Sequence, residues 1–382
     1  LDLKSSVIVL DPGAGLTKIG YAGDETPKVV IPSMSGEMLR TTNTKQQNTS
    51  SMKRIYGNEV IKNMNHVQSY QSILSNSSHI TDWDDIERFW RYALESVLEV
   101  DDMSLHPVIV TEAPLAPKHH REKLTQLLFE EFKVPGVYVA NQAIMSMYAV
   151  GRISGLVADI GHHTSHFVPI VEGYACSYAT ERMNIAGKKI TELLEKAILD
   201  KVPIKNKILP HIFTDIKEQS CFVALDHEKR AMNVRANEGS TANYSKKYNL
   251  PDGQCINLDD RLRSTPAEVL FEPATFGIEI QGIHEQIIQA IQRVDPMHRK
   301  DLFANIVLSG GTTLLPGFVR RLEIDLAKVA PQSALLEVIA QNERIYGSWI
   351  GGSILGTLST FQQLWVKKDE YNAWGPSAIH RK

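Results

Sequence analysis

Two short stretches of the chain place an aspartate, a glycine, a hydroxyl and a basic or titratable side chain at the same spacing. They are "DPGAGLTK" (11–18) and "DIGHHTSH" (159–166), and each begins at the end of an apolar run, "VIVLD" or "LVAD". Glycine in such a turn accepts positive φ and lets a ligand approach the main chain, where backbone N–H groups can hold a phosphate. The pattern predicts two related strand–turn–strand hairpins that arose by internal duplication.

The side chains of these turns indicate what could bind there. Asp11 could orient the water shell of a Mg²⁺ ion, because this ion keeps several waters and meets carboxylates indirectly. Lys18 would supply positive charge for a phosphate. A third glycine cluster, in "NIVLSGGTTLLPGF" (305–318), also follows an apolar run and suits the close approach of a flat or charged ligand. Together the three turns favour a nucleotide cleft between two lobes, and three unrelated tight turns are the alternative.

The histidines of the second stretch suggest a further alternative to a nucleotide site, namely a metal site. His162 and His166 share one face of an extended strand and His163 lies between them, but no thiolate is nearby in the sequence. The pattern therefore favours a nucleotide site over a zinc site. The histidines of "KHH" (118–120) are predicted to lie in an exposed loop or a first helical turn.

Length and composition indicate a globular protein of two lobes. The chain has 382 residues, 43% hydrophobic and 22% charged, with a formal net charge of -3. This charge gives no general attraction to nucleic acid or acidic membranes, so we expect neither sequence-specific nucleic-acid binding nor membrane association. Three widely spaced cysteines without a CxxC motif favour free thiols in a reducing compartment. There is no apolar run of about 20 residues and no signal-peptide pattern, and the missing initiating Met suggests absent N-terminal residues.

The remaining periodicities predict alternating strands and helices, hence α/β layers. An amphipathic helix is predicted after the capping residues Thr81 and Asp82, and strands are predicted at 108–114 and at the start of "GVYVANQAIMSMYAVG". The polar stretch at 35–54 is predicted to be a mobile surface loop, and that at 235–253 to lie at the tip of the other lobe.

Several long segments resemble actin, and the resemblance spans essentially the whole chain. They include "DPGAGLTKIGYAGDETPKVVIPS", "TDWDDIERFW", "VIVTEAPLAPKHHREKLTQLLFEEF", "VLSGGTTLLPGF" and "GSWIGGSILGTLSTFQQLWVKKDEYNAWGPSAIHRK". The resemblance implies an actin-like ATPase fold, with two duplicated α/β lobes, a nucleotide cleft between them and a smaller outer subdomain on each. It places the first lobe at 1–149 plus 347–382, with its outer subdomain at about 33–73. The second lobe is 150–346, with its outer subdomain at about 186–278.

The same resemblance implies which residues form the site. Gln142 matches the glutamine that positions the attacking water, and Asp11 and Asp159 match the aspartates that hold Mg²⁺ through water. The residues implied to bind the nucleotide are Asp11, Gly13, Ala14, Gly15, Leu16, Lys18, Asp159, Gly161 and His162 in the hairpins. On the adenosine side they are Gly187, Lys217, Glu218, Gly310, Gly311, Thr312 and Tyr346.

Some of these positions depart from actin. Alanine at 14 replaces a phosphate-contacting serine, and His162 replaces the second magnesium-orienting aspartate. Further departures are Pro12 for asparagine, His163 for glycine, Thr214 for arginine and Ile345 for lysine. Because phosphoryl transfer needs a placed metal, a placed water and charge stabilisation, we expect ATP hydrolysis to be very slow or absent. ATP or ADP could still bind, with or without Mg²⁺ and with His162 donating directly to a phosphate; an empty cleft is the alternative.

Other departures bear on assembly. The stretch at 35–54 lacks the apolar residues that actin inserts into a neighbour, so we do not expect filaments of this chain alone. "YAVGRISGLVADIGH" (148–162) resembles plant-type nuclear actin-related proteins of chromatin-remodelling complexes. By that resemblance the chain would be a nuclear scaffold that pairs with actin or another actin-related protein and binds a long helix of the remodelling ATPase near Tyr148, Gly151, Ile350 and Leu355. The alternatives are a cytoplasmic or cytoskeletal subunit of a dynactin-like filament or ciliary dynein arm, and an active ATP-hydrolysing actin.

Overall fold

The computed structural model describes residues 6–40, 51–75, 80–203, 208–225 and 245–381, with the side chains of Arg40 and Ser51 left out. Its contacts divide the chain into two compact units. Unit 1 comprises 1–153, 170–177 and 346–382, and unit 2 comprises 154–169 and 178–345. Each unit combines helices with a mixed sheet whose central strands are parallel, so the fold is of the α/β class that the alternating sequence pattern predicts.

The strands alternate with helices through most of the chain. The strands are β1 (Ile8–Pro12), β2 (Leu16–Tyr21), β3 (Val29–Pro32), β4 (Met34–Arg40), β5 (Ser51–Tyr56), β6 (Val67–Ser72), β7 (Val108–Glu112), β8 (Gly136–Asn141), β9 (Gly155–Ile160), β10 (Ser165–Val171), β11 (Tyr174–Ala175), β12 (Glu181–Met183), β13 (Lys246–Asn249), β14 (Cys255–Leu258), β15 (Ile306–Ser309), β16 (Val338–Ile339) and β17 (Val366–Lys367).

The helices are α1 (Asn58–Lys62), α2 (Trp83–Arg91), α3 (Lys118–Glu130), α4 (Gln142–Ala149), α5 (Gly187–Lys201), α6 (Pro210–Ser220), α7 (Asp260–Ser264), α8 (Ile283–Gln292), α9 (Pro296–Phe303), α10 (Phe318–Val329), α11 (Gly347–Thr357) and α12 (Lys368–Trp374). A π-helical stretch, Tyr92–Val97, continues α2. Among the described residues, no helix is both long and apolar enough to cross a membrane.

The main sheet of unit 1 has the order β17–β8–β7–β1–β2–β3. The strands β1, β7 and β8 are parallel and almost completely buried, as the apolar runs "VIVLD" and "VIVTEAP" predict. The strand β2 turns back antiparallel on β1, in a register that pairs Asp11 with Lys18. We call β1, β2 and the turn between them (8–21) the first hairpin.

The sheet of unit 2 repeats this arrangement. The strands β9, β15 and β16 are parallel, and β10 follows β9 through a short turn and lies next to it. We call residues 155–169 the second hairpin. Its strand β9 is buried, and Asp159 lies beside Ser309 in the parallel register with β15. The predicted pair of strand–turn–strand hairpins is therefore confirmed, one in each unit.

Helix α2 confirms the predicted amphipathic helix. Its N-cap is Asp82, whose side chain accepts a hydrogen bond from the main-chain N–H of Asp85, while Phe89 and Trp90 are fully buried in the core of unit 1. Helix α3 begins at Lys118, so the "KHH" histidines lie in its first turn, as predicted.

The prediction of a loop at 35–54 is wrong for the residues at both ends of this stretch, which are strands. These residues form β4 and β5, which pair with each other and with β6 in a three-stranded sheet, whereas 41–50 lie outside the described residues. The reason is a buried acceptor: Asp85 is 2% exposed and accepts from Ser35 Oγ (2.8 Å) and from the guanidinium of Arg54. The hydroxyl of Tyr56 also donates to it (3.2 Å). Polar side chains on these strands thus find a buried partner, and Ile55 and Tyr56 of β5 are buried as well.

The second polar stretch, 235–253, lies partly outside the described residues, since 226–244 are not described. Its described end forms the strand β13, which pairs antiparallel with β14, and the turn signal "LPDG" joins the two strands.

Helices α4 and α11 approach each other closely within unit 1. A Cβ atom added at Gly351 would lie 1.9 Å from the carbonyl oxygen of Met145, which is a backbone atom of α4 and cannot rotate away. The indole of Trp349, also on α11, is fully buried and donates to the carbonyl of Val9 on β1 (3.1 Å). This packing positions α4, whose first residue is Gln142.

The substitution Gly351→Ala should therefore lower the stability of the chain by about 1–3 kcal/mol or more, because α11 must move away from α4. Gly136→Ala is the control, since the nearest atom to its added methyl would be a ring carbon of Trp365 at 3.6 Å, an ordinary contact distance. The check is the urea midpoint of the two variants. Equal midpoints would show that the close backbone approach is not limiting.

Candidate phosphate-binding hairpins

Asp11 at the end of β1 is the buried charge of the first hairpin. It is 1% exposed and accepts hydrogen bonds from Lys18 Nζ (3.0 Å), Gln142 Nε2 (3.0 Å) and the hydroxyl of Thr111. A buried carboxylate needs such partners, because desolvation penalises an unpaired charge. These contacts bring Asp11, Lys18 and Gln142 together, three of the residues implicated from the sequence.

Thr111 was not identified from the sequence, although a signal for it exists. The strand β7 runs parallel to β1 with Val110 opposite Leu10, so the next residue of each strand falls at the same edge of the sheet. A hydroxyl that follows "VIV" therefore comes to lie beside the aspartate that follows "VIVL". Thr111 is fully buried and also receives a hydrogen bond from Gln142 Nε2 (3.3 Å).

The turn of the first hairpin (Gly13, Ala14 and Gly15) is fixed by hydrogen bonds at Gly13. The N–H of Gly13 donates to the carbonyl of Leu16 (3.2 Å), and a Cβ at Gly13 would lie 2.6 Å from that oxygen. The hydroxyl of Ser33 donates to the carbonyl of Gly13 (2.6 Å). Ala14 packs against the core cluster of unit 1 and carries no hydroxyl. The turn is therefore closed by its own main chain and by Ser33, and its middle residue offers no side-chain donor.

Gln142 begins helix α4. Asn141 caps this helix by accepting from the N–H groups of Ala143 (2.9 Å) and Ile144 (3.4 Å), which fixes the first turn. The amide of Gln142 therefore has a defined position, and it donates to Asp11 and to the hydroxyl of Thr111.

In the second hairpin the turn is fixed by hydrogen bonds within itself and to two neighbouring segments of unit 2. The N–H of Gly161 donates to the carbonyl of Thr164 (3.1 Å) and closes the turn. The carbonyl of Gly161 accepts from the N–H of Gly187 (3.1 Å) and from the hydroxyl of Thr312 (2.7 Å). The start of α5 and the turn after β15 are thereby fixed to the hairpin, which brings together three more of the residues implicated from the sequence.

Two glycines make these close approaches possible. Gly310 has φ of +87°, and an added Cβ would lie 2.3 Å from the carbonyl oxygen of Ile160. An added Cβ at Gly187 would lie 2.5 Å from Thr312 Oγ1. Any side chain at these two positions would push the three segments apart.

Lys217 adds a buried positive charge to unit 2. Its Nζ donates to the carbonyl of Gly187 (3.2 Å), and the residue is 6% exposed. Burial lowers the pKa of Lys217, while the carboxylate of Glu218 opposes that shift. The other residues implicated from the sequence are placed as follows. Glu218 is exposed on α6. Gly311 lies next to Ile345 in unit 2, whereas Tyr346 belongs to unit 1.

His162 follows Gly161 in the turn of the second hairpin. Its carbonyl accepts from the N–H of Lys188 (2.7 Å), and its ring centroid lies 4.9 Å from that of the buried His163. Burial lowers the pKa of His162 to about 3, and the positive charge of Lys217 adds to this effect, followed by smaller contributions from His163 and Lys188. The ring is therefore neutral at physiological pH, where an aspartate would be charged.

The residues of these hairpins do not fit a bound metal ion well. In the described part of the chain no group of three His, Cys, Asp or Glu side chains is arranged to hold a metal ion, so the zinc alternative finds no support there. Magnesium prefers oxygen ligands, and the second hairpin offers the carboxylate of Asp159, whereas position 162 carries a neutral imidazole with two lysines nearby. In the first hairpin both carboxylate oxygens of Asp11 already accept from protein donors. Glycine turns, Lys18 and Lys217 fit a phosphate better than a cation.

The fold and these turns define a class of protein. Each unit has a mixed α/β sheet with three parallel strands and a hairpin with a glycine turn, and such a turn can present main-chain N–H groups to an anion. A model of one protein family, described as Actin, matches residues 2–382. The chain belongs to the actin family, whose fold generally binds ATP or ADP with Mg²⁺.

The depressed pKa of His162 leads to a testable pH dependence. Between about pH 6.5 and pH 3 the unfolded chain binds a proton at this position and the folded chain does not, so the free energy of unfolding falls as the pH falls through this window. The variant His162→Gln cannot take up that proton. We expect its stability to decline less steeply from pH 6.5 to 4, measured by urea unfolding at several pH values. His119→Gln, in the exposed first turn of α3, is the matched control and should keep the wild-type slope. A parallel decline in all three proteins would contradict the neutral ring.

Proposed function

We propose that this chain is a divergent actin-related protein that retains ATP or ADP, hydrolyses it very slowly or not at all, and acts as a structural module of a multi-subunit assembly. The observation that carries this proposal is His162: a neutral ring occupies the place in the second hairpin where the actin pattern has a charged magnesium-orienting carboxylate. Without that carboxylate the hairpin is poorly suited to place a catalytic cation.

The hydrolysis step would depend on a placed cation, a placed water and stabilisation of the transferring phosphoryl group. The amide of Gln142 donates to Asp11 and to Thr111, and this defined position supports its proposed role in orienting the attacking water. The second hairpin lacks the matching negative charge, and Ala14 and Pro12 remove hydrogen-bonding groups from the first turn. Since loss of a single such element commonly lowers the rate by orders of magnitude, binding without turnover is expected.

The assembly we favour is a nuclear chromatin-remodelling complex, in which the chain pairs with actin or another actin-related protein and binds a long helix of the remodelling ATPase. The support is the likeness of residues 148–162 to nuclear actin-related proteins, together with apolar side chains exposed on unit 1. Ile153 is 62% exposed and Tyr174 is 80% exposed, and the main chain links their two segments, because Gly173 N donates to the carbonyl of Ile153 (2.7 Å). Ile354 on α11 and Leu358 after it are also exposed. Exposed apolar groups of this kind suit an amphipathic partner helix.

Native purification of the tagged chain would test this role. We expect it to bring down a remodelling ATPase and a second actin-family subunit, with little inorganic phosphate released above the buffer background. Pelleting of the pure chain in magnesium and salt would favour the cytoskeletal alternative, a subunit of a dynactin-like filament or ciliary dynein arm. Brisk phosphate release would favour an active ATPase.

The role of the hairpin substitutions is tested by restoring the actin pattern. The double variant Ala14→Ser with His162→Asp should release phosphate from Mg²⁺-ATP at least about tenfold faster than the wild type, because it regains a carboxylate and a hydroxyl donor. The matched control is Ala14→Ser with His162→Asn, which removes the ring without adding a negative charge and should stay near the wild-type rate. Equal turnover of all three proteins would contradict this explanation of why hydrolysis is lost.

A further inference from the structure

Two lysines from neighbouring helices, Lys188 on α5 and Lys217 on α6, place positive charge near the neutral ring of His162 in the second hairpin. Lys217 and Lys188 both act on the ring of His162, and the ammonium of Lys217 is buried beside the carbonyl of Gly187. An anion that enters this turn would be stabilised by both lysines. A divalent cation would be repelled by the same charges, and it would find an imidazole where a carboxylate would attract it.

His162 also has hydrogen-bonding capacity to offer. Within the described residues, its carbonyl receives the N–H of Lys188, while no protein group forms a hydrogen bond with its ring nitrogens. A neutral imidazole carries one N–H donor and one acceptor nitrogen. Because the turn is tied to Gly187 and Thr312 through the carbonyl of Gly161, the ring is held on a fixed support.

The nearby lysines and the free hydrogen-bonding capacity of the His162 ring suit a phosphate oxygen, which accepts hydrogen bonds and is stabilised by positive charge. In a magnesium site the cation compensates the charge of a polyphosphate, whereas here Lys217 and Lys188 can provide part of that compensation. The ring can donate without first being protonated, so the contact does not need an acidic solution.

We propose that the second hairpin binds the phosphate groups of a nucleoside di- or triphosphate without a divalent cation, with the ring of His162 donating directly to a phosphate oxygen. This inference rests on the proposed retention of ATP or ADP by the chain. It assigns His162 a binding role that takes the place of cation placement. It also explains how the chain could keep a nucleotide that it does not cleave.

The test compares ATP binding in excess Mg²⁺ and in excess EDTA, by isothermal titration calorimetry on the full chain after removal of bound nucleotide. The wild type should bind ATP with Kd values that agree within about threefold in the two conditions. His162→Ala should weaken binding about tenfold or more in both, because a hydrogen bond to a charged group is lost. His162→Asp should bind at least about tenfold more weakly in EDTA than in Mg²⁺, because its carboxylate repels the phosphate until a cation screens it.

Two controls separate binding from folding. His119→Ala changes an exposed histidine of α3 and should bind like the wild type. Thermal unfolding and circular dichroism of each His162 variant establish that the chain is folded before its Kd is compared. ADP is measured alongside ATP, so that a contact made only by the terminal phosphate is recognised.

Each contrary outcome has a distinct meaning. Wild-type binding that requires Mg²⁺ would overturn the inference and leave the non-hydrolysing role intact, whereas binding of no nucleotide in either condition would overturn both the inference and nucleotide retention. Unchanged affinity in His162→Ala would overturn the assignment of the donor. Brisk phosphate release from Mg²⁺-ATP would contradict the proposed function itself, and the comparison of Kd values would still decide the inference.

Discussion

The neutral ring of His162 is the feature on which the proposed function of this chain depends. It lies in a turn whose carbonyl groups accept hydrogen bonds from the N–H groups of Gly187 and Lys188, so the backbone that carries the ring is fixed to unit 2. Burial and the charge of Lys217 hold its pKa near 3. A position that would carry a negative charge in the actin pattern is therefore uncharged, and everything inferred about metal ions, hydrolysis and phosphate contacts follows from that change.

The two hairpins share one scaffold and an aspartate at the matched strand end, and they differ in the residues of the turn. Both place a glycine turn between a buried parallel strand and an antiparallel neighbour. In the first, Asp11 brings a negative charge that Lys18, Thr111 and Gln142 stabilise. In the second, the nearby charges on His162 are those of lysines. The scaffold depends on main-chain hydrogen bonds and on glycines such as Gly310, so the side chains at the turn can change while the fold stays.

Most of the fold could be predicted because its signals are local. The apolar runs before Asp11 and Asp159 gave buried strands, and Asp82 marked the start of α2. The strands β4 and β5 could not be predicted, because their polar side chains are satisfied by Asp85. This residue lies more than 30 positions after both Ser35 and Arg54, so it takes no part in their local sequence pattern. Only the folded chain brings such partners together.

For the site, the sequence indicated residue types and left the charge state open. The presence of a histidine at 162 is plain from the sequence, but its neutrality depends on burial and on Lys217, which is 55 positions away. Thr111 could have been found from the parallel strands, since it follows β-branched residues at the same edge as Asp11. By contrast, the positive φ of Gly310 and its approach to Ile160 depend on how β9 and β15 lie side by side.

The most direct measurement is the protonation state of His162 itself, followed by NMR of histidine-labelled chain across the pH range and assigned by comparison with a variant that lacks this ring. We predict that the His162 resonances keep the chemical shifts of a neutral imidazole from pH 8 down to the acid limit of the folded state. A resonance that titrates near the ordinary histidine value of about 6.5 would contradict the account, because the ring would then carry a charge in the physiological range.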